Sequence, residues 1–505
     1  MSNFPSQLQV PDSVRSDKPN QNTLVAAKGA TILFGGRLFV YASRFLIALF
    51  VARVLGAGQY GLYNLGLTAV ELTTFLASFG MGITLVRYIP IYNSRKDEAG
   101  VWGTLQLGLG LTTLFSLVTG AGLYFLAEPI AIQLFKEPRL VPLLQLVSIA
   151  VPFFNLGDMA AAATRGFKNM KYTVIAQNFA HPITRAVILV FLFLFLGLNA
   201  KRVLLTSLLA EVVVVGLLLY YLNKQFSLLR PVNTGRRDLR ELLQFSWPIY
   251  VSNFVMKFGG NIKTVLLGAS GTVTNVGIFA LASQITLLGD MFHDSLGSVA
   301  QPIIAELYSQ GKRAELKHFY QLMTKWTVTI NLPLFLVLAL FPDEIMSLFG
   351  QSFVAGSLIL RILAWTGLVD IATGICGVML DMAGYTRLKL ANTIFTLAVS
   401  IGLSIWLIPT WGLIGAALAS LSGSIIINLL RVIEIYVLLQ MLPYNLAFLK
   451  PIIASVVTAG VILWLTSYLQ NLPTLPYLAV SMTVLFVVYV GMTFLLGVSA
   501  EDKAI

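Results

Sequence analysis

"VLGAGQYGLYNLGL" (Val54–Leu67) returns in altered form as "LLGASGTVTNVGIFALA" (Leu266–Ala282). Gly56 aligns with Gly268, 212 positions on, and Gly61 with Gly277, 216 positions on. Two further matches follow in the same order. "AEPIAIQLFKEP" (Ala127–Pro138) pairs Phe135 with Phe349 of "PDEIMSLFGQS" at 214, and "GFKNMK" (Gly166–Lys171) pairs with "GYTRLK" (Gly384–Lys389) at 218. Four ordered matches with so small a drift read as an internal duplication. The unit exceeds 200 residues, far above the 20 to 50 of solenoid arrays, so each copy is a bundle in its own right.

The rest of the chain says what kind of bundle. Of 505 residues, 57% are hydrophobic and only 11% charged, where soluble domains carry about 25% charged residues. Mean hydropathy is +0.82. This composition predicts an all-α polytopic membrane protein. Dividing the chain at polar, Gly and Pro punctuation predicts 14 transmembrane helices near 30–54, 62–88, 101–126, 139–164, 172–197, 203–222, 242–267, 274–308, 318–341, 354–381, 387–408, 411–439, 447–469 and 475–497. The repeat offset then spans six helices. An even number leaves both copies pointing the same way, which predicts two six-helix lobes related by an axis along the membrane normal, plus two C-terminal helices. The expected organisation is a disordered cytoplasmic tail (1–29), a first lobe (30–222), a basic cytoplasmic linker (223–241), a second lobe (242–439), and the last two spans with the C-terminal tail (440–505). The tail has no apolar stretch of signal-peptide type, so the first span is expected to be retained.

Charge orients the helices. The connections on one side hold 23 Lys and Arg, and those on the other hold five. The positive-inside rule then puts both termini in the cytoplasm. The formal net charge of +12 fits an anionic membrane surface better than nucleic acid. One cysteine, Cys376, excludes an intrachain disulfide and a cysteine metal cluster, and His181, His293 and His318 are scattered. No metal or cofactor is expected. "GAGQYG" lacks the phosphate-loop lysine and its strand-to-helix setting, which argues against ATP hydrolysis. The short outer connections leave little room for the acidic or histidine groups of a multi-span glycan polymerase or ligase, so the chain is not expected to be an enzyme.

"ARVLGAGQYGLYNLG", "GFKNMKY" and the six-six-two helix plan resemble the polysaccharide-repeat (O-antigen type) flippases of the multidrug/oligosaccharidyl-lipid/polysaccharide exporter superfamily. The resemblance covers about residues 24–500. It implies a monomeric transporter in a bacterial inner membrane, moving an undecaprenyl-pyrophosphate-linked oligosaccharide from the inner to the outer leaflet by alternating access. The alternative within the superfamily is a cation-coupled exporter of drugs or small solutes, although the first span carries no carboxylate.

Such a substrate gives the intramembrane charges a purpose. An arginine at the centre of a spanning helix costs about 2.5–3.5 kcal/mol on insertion scales. Arg37 and Arg44 nevertheless sit seven apart on one helix face with Tyr41 between them, and guanidinium suits phosphate because it is always charged and binds it bidentately. The competing expectations are snorkelling for Arg37 and an ion pair with Glu71 for Arg44. In the repeated span, Asn253, Lys257, Asn261 and Thr264 form a polar stripe, with Lys263 off it and expected to snorkel outward. The candidate substrate-binding set is therefore Arg37, Tyr41, Arg44, Asn253, Lys257 and Asn261. Asp290, Asp294, Gly297 and Gln301 share another face. Asp290, Asp294 and Glu71 are the candidates for coupling to a Na+ or H+ gradient. Asp158, Arg185 and Glu211, on consecutive helices, are expected to form a structural cluster.

Overall fold

The computed structural model describes residues 21–227, 239–469 and 472–497, with side chains from Phe39 onward except those of Leu239, Asp290 and Thr386. The proposed tail up to residue 20 and most of the proposed linker lie outside the described residues. Among the described residues there are only helices and their connections. In chain order they are α1 (Gln21–Ser78), α2 (Met81–Ser94), α3 (Glu98–Pro129), α4 (Val141–Gly166), α5 (Met170–Thr173), α6 (His181–Leu196), α7 (Ala200–Gln225), α8 (Leu239–Ser270) and α9 (Val273–Ser309). Then come α10 (Arg313–Leu340), α11 (Pro342–Phe349), α12 (Ser357–Ala372), α13 (Cys376–Met382), α14 (Thr386–Leu439), α15 (Leu449–Leu469) and α16 (Thr474–Leu495). Two stretches, Ile130–Leu134 and Val174–Ala180, are wound as π-helix.

Local chemistry sets the boundaries. Asp97, Asn199 and Thr272 each accept a hydrogen bond from a backbone N–H three residues on, capping α3, α7 and α9. Gly56 interrupts α1 with φ 69° and ψ 170°, and Gly412 interrupts α14 with φ 55° and ψ −125°. Both conformations are open to glycine and strained for other residues.

Ten helices among the described residues are long and apolar enough to cross a membrane, or eleven if the bent pair within 273–309 counts as one span. The chain is a multi-pass membrane protein. The difference from the expected 14 has identifiable sources. Phe39–Ser78 and Arg387–Leu439 are 40 and 53 residues long and each counts once, although each contains one of the glycine breaks. A single crossing needs about 20 residues. Helix α8 carries Lys257, Lys263 and the Asn253/Asn261 stripe, which dilute its hydropathy.

Helices in lipid gain little from hydrophobic burial against one another, so close packing through small residues does more of the work. Ala160 to Ala163 in α4 are fully buried, and α4 packs against α1, α2, α3 and α7. The tightest backbone approach at a glycine joins α1 to α9. A Cβ on Gly61 would fall 1.7 Å from the Val273 carbonyl oxygen, and one on Gly277 would fall 2.1 Å from the Ala57 carbonyl oxygen. Residues 57 and 273 are 216 apart, as are residues 61 and 277, so the two copies meet through equivalent backbone. Flanking contacts are reciprocal. The Ala57 N–H donates to Ser352 Oγ at 3.1 Å, while Phe135 lies over Gly268 with ring carbons 2.8 Å from where a Cβ would stand. The largest apolar core is built around this crossing and draws on both halves of the chain.

Candidate functional site

N-terminal to Gly56, α1 packs one face into the core through Val51 and Ala52 and borders cavities with Tyr41 and Arg44. Arg44 is exposed in the middle of a spanning helix and lines three cavities. With Tyr41 it borders one of about 380 Å³ that also holds Asp294, Gly297 and Gln301 of α9. With Tyr63, Glu71 and Arg185 it borders a second, of about 370 Å³. With His181, Arg185 and Glu211 it borders a third, of about 420 Å³. Arg44 has no ion pair among the described residues.

Glu71, the acidic group expected beside Arg44, is engaged elsewhere. Its Oε2 accepts from Lys257 Nζ at 3.4 Å and from Asn261 Nδ2 at 3.3 Å. Lys257 is thus partly neutralised and held toward α1. Asn253, Lys257 and Asn261 line one open cavity with Glu71, so the stripe on α8 does face a cavity. Lys263 does not snorkel outward. Its Nζ donates to Ser420 Oγ on α14 at 2.9 Å, because a lysine on the opposite face of α8 meets the polar side of α14 rather than lipid.

Arg185 faces the cavities beside Arg44. It donates to the Tyr63 hydroxyl at 2.5 Å and shares two cavities with Arg44. Glu211 approaches His181 at 3.8 Å rather than Arg185. Gly157 makes room for it, since a Cβ there would fall 2.1 Å from Glu211 Oε1. Among the described residues Asp158 forms no ion pair with Arg185. The predicted cluster of Asp158, Arg185 and Glu211 therefore does not form as a unit. Arg185, Tyr63 and His181 line cavities with Arg44, a placement that the sequence did not point to. A lone arginine in "HPITRAVILVF" was the available signal.

Of the coupling candidates, Asp294 lies in the cavity with Arg44, and Glu71 is committed to Lys257 and Asn261. The side chains of Arg37 and Asp290 lie outside those described. Further along, Asp370 accepts from Ser424 Oγ at 2.5 Å and Asn428 Nδ2 at 2.6 Å, and Asp381 pairs with Lys389 at 2.5 Å. Both carboxylates are satisfied within the second half. No group of three metal-ligating side chains occurs among the described residues.

The arrangement is a set of joined polar cavities in an apolar helical body, with an arginine pair at its centre. Comparison with known proteins agrees with its membrane-transport character. The family model described as polysaccharide biosynthesis protein matches residues 26–308, more than half of the chain. The chain belongs to this family. The MatE model matches residues 248–406, over the second half. The chain is 21% identical over 462 residues to stage V sporulation protein B of Bacillus subtilis, covering 86% of this chain and 89% of that one. It is 24% identical over 405 residues to "Probable low-salt glycan biosynthesis flippase Agl15" of Haloferax volcanii, covering 78% and 80%. In fold it is similar to the lipid II flippase MurJ in an inward closed conformation, with a TM-score of 0.74 at 15% identity over 92% of this chain and 98% of that one. Family members are membrane transporters of the polysaccharide, flippase and MatE superfamily, and this chain is a transporter rather than an enzyme.

Proposed function

We propose that this protein flips a polyprenyl-pyrophosphate-linked oligosaccharide from the inner to the outer leaflet of a bacterial inner membrane by alternating access, for cell-surface polysaccharide assembly. The observation that carries the reading is Arg44, a permanent cation in mid-helix that opens on three cavities and has no acidic partner among the described residues. A guanidinium within a membrane-spanning helix is costly unless something anionic visits it, and a pyrophosphate supplies that charge bidentately. The named role of the Haloferax relative, a glycan biosynthesis flippase, supports the same substrate class.

The finer architecture belongs to this proposal. Counting the glycine-broken helices as two spans each, and α8 and the bent α9 as one span each, gives 14 crossings with both termini cytoplasmic. The first lobe is then 30–222 and the second 242–439, joined by the 223–241 linker and followed by two further spans. The reciprocal contacts of Gly61 with Gly277 support two lobes that can rock about a shared crossing. That crossing lies on the outer side and the Arg44 cavities open toward the cytoplasm. Arg37, at the cytoplasmic end of α1, and the stripe of Asn253, Lys257 and Asn261 extend the substrate path. Asp294 is the first candidate for coupling to a Na+ or H+ gradient, because it shares a cavity with Arg44 while Glu71 is occupied.

The test is reconstitution. Purified protein in liposomes should move a labelled undecaprenyl-pyrophosphate oligosaccharide between leaflets and leave a cationic dye behind. The MatE match over 248–406 favours the second reading, a small-solute exporter. Dye transport without glycan transport would establish that one instead.

A further inference from the structure

Val174–Ala180 is wound as a π-helix between α5 and α6, within an otherwise α-helical span. Such turns are rare and concentrate at functional sites. This one brings Gln177 and Asn178 to the wall of the 420 Å³ cavity, beside His181 and Glu211. That volume falls in the range of small-ligand sites. Neither amide side chain has a hydrogen-bond partner among the described residues. The buried Nε of Arg185 is also without one. Arg44 and Arg185 line both this cavity and its neighbour beside Tyr63 and Glu71. The lining shared by the two cavities is therefore cationic, and this one adds two neutral amides, Ser43, His181 and one carboxyl group to an apolar wall of Val40, Ile47, Phe154 and Pro182.

An amide offers two donors and an acceptor. It suits hydroxyl and acetamido groups, and a Glu211 carboxyl oxygen can accept from a hydroxyl. We propose that this side cavity is a sugar subsite. It takes the first, uncharged sugar of the lipid-linked glycan while the pyrophosphate lies at Arg44 and Arg185, and Gln177 and Asn178 read the sugar's polar groups. This assignment rests on the flippase reading and adds a determinant of which glycan is accepted.

The test uses full-length protein in lipid nanodiscs and three probes: undecaprenyl pyrophosphate, and the same lipid bearing a single N-acetylglucosamine or a single galactose. Wild-type protein should bind at least one sugar-bearing lipid about tenfold more tightly than the bare pyrophosphate, the scale of one or two hydrogen bonds. The double variant Gln177→Ala, Asn178→Ala should lose that advantage and keep its affinity for the bare lipid, which also reports correct folding. Arg44→Ala should weaken all three probes. Equal binding of all three by the wild type, or an unchanged sugar preference in the double variant, would overturn the subsite and leave the flippase reading standing. No binding of any probe by the wild type would overturn both.

Discussion

The same two helices, α1 and α9, meet in two opposite ways. After Gly56, α1 crosses the start of α9 through bare backbone, with no space for a methyl group at Gly61 or Gly277. Before Gly56, α1 and the later part of α9 border a cavity that holds Arg44 on one side and Asp294 and Gln301 on the other. A contact built from glycine and equivalent backbone is rigid and leaves no room to bind anything. A contact bordered by long polar side chains leaves an open polar space between the helices. In the proposed cycle the first end seals and the second receives the substrate.

The seal gives the largest expected effect. Gly61→Val or Gly277→Val would drive side-chain atoms into a carbonyl. Overpacking in tight interiors costs about 1–3 kcal/mol, and here it should force the crossing open. Transport should fall to near background, and cysteines introduced beside residue 57 should become reactive to impermeant reagents from outside. A wild-type labelling pattern would show that the crossing is not a seal. The converse experiment locks it. Gly58 lies close to Thr274, whose Oγ1 is 3.5 Å from the position of an added Cβ. Gly58→Cys with Thr274→Cys should crosslink on oxidation, arrest transport and recover on reduction. The buried Cys376, the chain's sole native cysteine, should not interfere. Full transport by the verified crosslinked form would refute rocking about this contact.

Gly157→Ala comes next. Its methyl would displace the Glu211 carboxylate from beside His181, at a cost of about 1–3 kcal/mol, and should lower the melting temperature and impair transport together. The smallest effect is expected at Glu71. Its pair with Lys257 is half-exposed on both sides, and such pairs are worth about 0–1 kcal/mol. Glu71→Gln should leave stability nearly unchanged. It should also shift transport less than loss of Arg44, because it frees Lys257 for the anion. A large melting shift in Glu71→Gln would mean that the cleft is held together by this pair, erasing the contrast with the glycine seal.

Much of this contrast was legible in the chain. Composition gave the membrane class, and the aligned glycines marked the duplication, but only the folded chain shows Gly61 and Gly277 meeting in a crossing. The spacing of Asn253, Lys257 and Asn261 put them on one face, and a mid-span arginine announced a polar cavity. Other features depend on tertiary contact. Lys263 could face lipid or protein on periodicity alone, and only the neighbouring Ser420 decides between them. The π-helix of Val174–Ala180 shifts the helical phase ahead of His181 and Arg185, so a regular 3.6-residue count misplaces both. Glu71 could pair with Arg44 or with Lys257, and the sequence does not say which helix lies opposite.

The central claim is that Arg44 serves an anionic substrate and not the fold. The direct measurement is leaflet-to-leaflet transport of a labelled undecaprenyl-pyrophosphate oligosaccharide by Arg44→Ala and Arg44→Lys in liposomes, with abundance and melting temperature recorded on the same preparations. Both variants should show near-normal abundance and melting temperature. Transport should be mostly lost in Arg44→Ala and partly retained in Arg44→Lys, which keeps the charge without the planar fork. Normal transport by Arg44→Ala, or a loss that follows a collapse in melting temperature, would contradict the claim.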